Sequence, residues 1–128
     1  DQMKFGSITD RIKTFDDACI ELGINPNQDK YKVDPHDEDS KAAVAFRKLS
    51  VIRKALNEGW KPDWTNDNEY KYYPWFHNYK PGVGFSSDAY DYSRSSTTVG
   101  SRLCFKSKEL AIYSGNQFLS LYNDFLTL

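Results

Sequence analysis

Between Ser40 and Asn57 the chain carries one unbroken helical period. Ala42, Ala45, Phe46, Leu49, Ile52, Arg53 and Leu56 fall on a single stripe edged by basic residues, and Gly59 follows as a stop. From Glu69 the period changes. EYKYYPWF (69–76) is aromatic and β-prone, with Pro74 marking an edge or a bend. A chain that passes from one period to the other must pack helices against strands.

The remaining segments fill in this frame. Thr14 and Asp17 have the form of a capping box ahead of a short helix at about 15–22, on which Phe15, Ala18, Cys19 and Leu22 recur, and Gly23 stops it. Residues 25–39, rich in Pro, Asn, Asp and Lys, read as a loop, and WKPDWTNDN (60–68) as a connector. PGVGF (81–85) holds a turn signal, residues 86–93 alternate loosely, and SRLCFK (101–106) alternates cleanly with Leu103 and Phe105 on one face, predicting a strand. Ser107 is placed to cap a final helix, with Glu109 in its first turn and Ala111, Phe118, Tyr122 and Phe125 on one stripe. The expected fold is α+β: an antiparallel sheet with two N-terminal helices and a C-terminal helix.

The 128 residues suit one domain spanning 1–128, and 16% aromatic residues supply apolar area that a 39% apolar fraction alone would leave modest. The net charge of −1 gives no global attraction to nucleic acid or to an anionic membrane. No apolar run approaches transmembrane length, so no membrane insertion is expected. Cys19 and Cys104 are too few for a disulfide framework and lie on apolar faces, as small buried hydrophobes do, although a single bridge between them is compatible with the sequence. The opening DQMKFGS starts abruptly, as an excised domain does, and carries no signal-peptide pattern.

Catalytic chemistry finds little support. Asp34, His36, Asp37, Glu38 and Asp39 crowd together, but their spacing matches no calcium or zinc pattern and suits the acidic approach to a helix N-terminus. His77 with Cys104 would be a minimal thiol pair, yet Cys104 sits between Leu103 and Phe105 in an apolar run. There is no phosphate-cradling glycine loop and no nucleophile elbow. The expectation is a protein that is not an enzyme, with no cofactor and no metal site.

The informative stretch is GFSSDAYDYSRSST (84–97). Tyr offers large amphipathic contact area at low entropic cost, and Ser and Gly offer adaptable hydrogen bonds, which is the composition of antibody binding loops. A solvated loop rarely carries several tyrosines, because exposed aromatic area is costly unless something covers it. The candidate ligand-binding residues are His77, Asn78, Tyr79, Ser86, Ser87, Asp88, Tyr90, Asp91, Tyr92, Ser93, Arg94, Ser95 and Ser96. Tyr79, Tyr90 and Tyr92 would anchor, and the Ser, Asp and Arg residues would adapt. Residues 81–105 also contain no Lys, Glu, Gln, Trp or Met. Those types cannot be reached from an AAC or AAT codon by changing its adenines, whereas Tyr, Ser, Asp, His, Phe, Gly, Ala, Thr and Arg can.

NEYKYYPWF (68–76), a variable Tyr/Ser-rich middle and VGSRLCFKSKELAIYSGNQFLSLYNDF (99–125) together resemble the variable proteins of diversity-generating retroelements from Bacteroidetes and their phages. The likeness covers roughly residues 45–128 and is strongest in GSRLCFKS (100–107). It implies diversified, ligand-binding positions at about 77–98, and a fixed scaffold that includes Trp75, Gly100, Arg102, Leu103 and Phe105. It further implies a phage or cell-surface display protein whose partner is a host surface protein or glycan. The display fold implied is C-type-lectin-like, or a distinct α+β scaffold, because the chain continues past VGSRL into a long helix. Two other readings compete. One is a nucleic-acid accessory protein of a phage or mobile element using Lys71, Lys80, Arg102 and Lys106 beside aromatics such as Tyr70, Tyr72 and Tyr73. The other is a structural virion domain. The sequence leaves the oligomeric state open.

Overall fold

A computed structural model describes residues 6–77, 86–94 and 101–127. The chain is mainly helical. Its α-helices are α1 (Ile8–Arg11), α2 (Phe15–Leu22), α3 (Ser40–Leu56), α4 (Lys108–Gln117) and α5 (Leu119–Leu126). The strands β1 (Lys71–His77) and β2 (Ser86–Ser93) form a single antiparallel pair, the full extent of the ladder among the described residues. The expected α+β fold built on an antiparallel sheet, with its C-type-lectin-like variant, is therefore corrected.

Three differences account for the correction. Residues 101–106 do not form a strand: Ser101–Leu103 is a turn of 3-10 helix, and Leu103, Cys104 and Phe105 are all buried in succession. A strand with one solvated face cannot bury three neighbours, because successive side chains point to opposite sides. What remains of pairing is one bridge, in which Tyr72 and Phe105 exchange both backbone hydrogen bonds (3.0 and 2.8 Å). At the N-terminus a further helix precedes the two expected ones. Ser7 and Asp10 close a capping box around α1, whose Ile8 is buried. At the C-terminus the expected single helix is two, because Phe118 (φ −113°, ψ 33°) leaves the helical region, ending α4 and opening α5.

The local stop and start signals operate as their chemistry dictates. Thr14 accepts from the Asp17 N–H while the Asp17 carboxylate accepts from the Thr14 N–H, and Gly23 closes α2 in the left-handed region at φ 69°. Ser107 accepts from the Leu110 N–H. The loop at 25–39 contains a short 3-10 turn, Asp29–Tyr31, which buries Tyr31 edge-on to Phe15 at 4.9 Å. The acidic residues after it serve their own turns: the N–H of His36 donates to Asp34 and that of Asp39 to Asp37, each at 2.9 Å.

The helix α3 is the axis of the core. Ala45, Leu49, Ile52 and Leu56 are buried as the stripe requires, and Val44, Val51 and Ala55 widen it. α2 covers one side with Ala18 and Cys19, and α5 covers another, where Phe125 meets Phe46 at 5.3 Å. Cys19 and Cys104 are both buried and unbridged. α4 lies against the β1–β2 hairpin and carries it into the same core.

Candidate functional site

Alternation along β1 decides which of its residues join the core. Tyr72 and Phe76 pack against it, Phe76 meeting Tyr122 at 5.0 Å, whereas Trp75 stays 49% exposed. Tyr72 gives its backbone groups to Phe105, so the alternate residue Pro74 also turns its backbone away from β2. Its missing N–H therefore removes no bond from the β1–β2 ladder.

The register sets the candidate contact residues against this frame. Ser93 pairs with Lys71, Tyr92 with Tyr72, Asp91 with Tyr73, Tyr90 with Pro74 and Ala89 with Trp75. A bulge follows Trp75, and His77 then pairs with Ser86. Ser87 and Asp88 complete β2, and Arg94 follows it directly. Asn78, Tyr79, Ser95 and Ser96 lie outside the described residues.

At the base of the hairpin the aromatic rings leave the core. Tyr92 is 51% exposed and stacks on Tyr70 with centroids 4.9 Å apart and planes at 16°. Tyr72 stands edge-on to Tyr70 at 6.1 Å, and the Arg94 guanidinium lies over the Tyr70 ring at 5.5 Å. Tyr70, Tyr72 and Arg94, with Trp60, Glu69 and Lys106, line an open cleft of about 470 Å³. Lys106 is partly held by Glu58 at 3.5 Å. The cleft offers aromatic faces beside a guanidinium and a carboxylate, an arrangement suited to gripping a flat or ring-bearing group and orienting its polar substituents.

Lys71 fixes that base. Its side chain is fully buried, yet its ammonium donates to the carbonyls of Asp63 (2.6 Å), Asn66 (3.2 Å) and Arg94. It also pairs with Glu69 at 3.3 Å and rests over the Trp64 ring at 5.2 Å. A buried ammonium is tolerated when its protons are all taken. Lys71 is thus a bolt between the connector and the end of β2, and it is not available to a phosphate, as the nucleic-acid reading required. Lys80 of that reading lies outside the described residues.

Trp60 was not among the sequence candidates, and Tyr70 and Lys106 stood there only in the nucleic-acid reading. Their signal is the density of aromatics and lysines in WKPDWTNDNEYKYYPWF, which continues into the hairpin. Cys104 is no nucleophile at neutral pH, because burial pushes its thiol up to about 11. None of the helices among the described residues is long and apolar enough to cross a membrane. No family model, curated protein or solved structure matches this chain.

Proposed function

We propose that the protein is a ligand-binding display protein. Residues 77–98 supply its contact surface, and that surface is diversified by mutagenic retrohoming. The observation that carries this reading is the exposure of aromatic rings at the hairpin: Tyr70 and Tyr92, 41% and 51% exposed, stack on each other at its base on the face of Tyr72, and Trp75, 49% exposed, stands on the opposite face. Exposed aromatic area gathered on one element is a surface in want of a partner.

The mechanism is recognition without bond chemistry. Aromatic anchors supply contact area, the Ser and Asp residues of β2 adapt their hydrogen bonds, and the helical frame keeps the hairpin in place. A phage tail or a cell-surface adhesin is the natural setting, at a virion or cell surface, and a host surface protein or glycan the natural partner.

The gene's surroundings test the reading. The expected finding is a near-copy of the codons for residues 77–105 close by, differing at adenines, beside a reverse-transcriptase gene. Flanking DNA with no such copy and no such gene contradicts it.

A further inference from the structure

A second cleft, of about 570 Å³, opens where the end of α3, the connector and the turn at Ser101–Leu103 meet. Arg53, Lys54, Lys61 and Arg102 line it together with Trp64 and Ser101. It holds four cations, and none of them makes an ion pair with a described residue. The nearest acidic residue along the chain, Asp63, spends one carboxylate oxygen on the N–H and hydroxyl of Thr65 (3.0 and 2.6 Å).

Arg53 is the sharpest sign that something is missing. Its Nε is shielded from solvent and has no hydrogen-bond partner among the described residues. A shielded guanidinium nitrogen left without an acceptor is costly. Its proton affinity is lowered by burial and further by the neighbouring charge of Arg102. The adjacent Cys104 thiol, neutral below about pH 11, gives it no counter-charge.

We propose that this cleft binds a tetrahedral oxyanion, the phosphate or sulfate group of a small molecule. Two guanidinium forks match the oxygen geometry of such a group, and Lys54 and Lys61 add point charges at the mouth. The volume falls in the range of small-molecule sites, about 300–1,000 Å³. The site shares no lining residue with the Tyr70–Arg94 cleft and does not depend on the display reading.

The test is a titration of the full chain with inorganic phosphate and with sulfate, at ionic strength held constant with chloride, followed by amide and indole NMR. The proposal expects saturable shifts at the Trp64 indole N–H and at the Lys61 and Arg102 amides. Chloride alone should not produce them. Lys61 and Arg102 are exposed, so Lys61→Gln and Arg102→Gln should fold, and each should weaken binding about tenfold or more through the loss of a charge-assisted contact. Lys106→Gln, in the other cleft, should leave affinity unchanged. A nucleoside monophosphate or a sulfated monosaccharide that binds more tightly than the free ion supports the proposal and distinguishes the source of the group. Shifts that chloride reproduces, or an equal loss in Lys106→Gln, overturn it. So does a single-stranded oligonucleotide that binds these residues when neither free ion saturates, since the surface would then be one for nucleic acid.

Discussion

Lys71 donates its buried ammonium proton to the carbonyl of Arg94, tying the first residue of β1 to the residue that follows β2. The strand pairing already places Lys71 opposite Ser93, so the side chain continues the ladder one residue beyond it. The hairpin base is therefore held from inside, by a residue outside the 77–98 stretch and through a backbone carbonyl that any side chain at position 94 would leave in place.

Lys71→Met should expose that role. It takes the ammonium donor from the carbonyls of Asp63, Asn66 and Arg94, the first two of which keep a backbone N–H, and it removes the cation paired with Glu69. The expected loss is about 2–4 kcal/mol in urea unfolding. A loss under about 1 kcal/mol would mean that the ammonium contributes little to the fold.

Asn57 plays the matching part for the segment after the variable stretch. Its amide is fully buried, with Nδ2 donating to the Cys104 carbonyl at 3.0 Å and Oδ1 accepting from the Lys106 N–H at 3.1 Å. Asn57→Ala should cost about 2–3 kcal/mol by leaving both backbone groups unpaired. Asn57→Asp puts an acceptor where a donor is needed and should be no better than the alanine variant. Unfolding midpoints that match the wild type in both variants would dismiss the bracket.

Alkaline pH offers a third check. The Cys104 thiol is raised from an ordinary 9.0 to about 11 in the folded chain by burial. The folded state then holds the proton more tightly than the unfolded one, so this stabilisation is complete below pH 9 and is lost as pH climbs from 9 towards 11. Urea midpoints should fall through that window, and fall less steeply in Cys104→Ala, whatever that variant's starting stability. Equal slopes for the two proteins would show that the thiol does not titrate as the fold requires.

The parts of the fold legible in the sequence are those fixed by neighbours in the chain. The Thr14–Asp17 capping box, the Gly23 stop, the α3 stripe and the Ser107 cap each act within a few residues. The SRLCFK segment misled because its alternation describes a strand, whereas its burial is set by Asn57, 47 positions away from Cys104, and by α3 and α4 packed around it. The short helix α1 could have been found, since Ser7 and Asp10 stand at capping-box spacing. At the site, the Tyr/Ser/Asp composition was visible in the sequence. The bolt at Lys71 was not, because its acceptors at Asp63, Asn66 and Arg94 are side-chain-independent carbonyls that no residue pattern encodes. The cations Arg53, Lys61 and Arg102 likewise converge from three separate segments.

The central claim is that the frame is indifferent to the residues it displays. Its most direct measurement is thermal and urea unfolding of variants in which Tyr90, Asp91, Tyr92, Ser93 and Arg94 are exchanged singly for Ser, Asn or Tyr. The account predicts small changes. The largest, at Tyr92 and Arg94, should stay within the roughly 0.5–1.5 kcal/mol of an exposed stack or cation–π contact with Tyr70. Losses of more than about 3 kcal/mol at several of these positions would mark them as part of the core and contradict it.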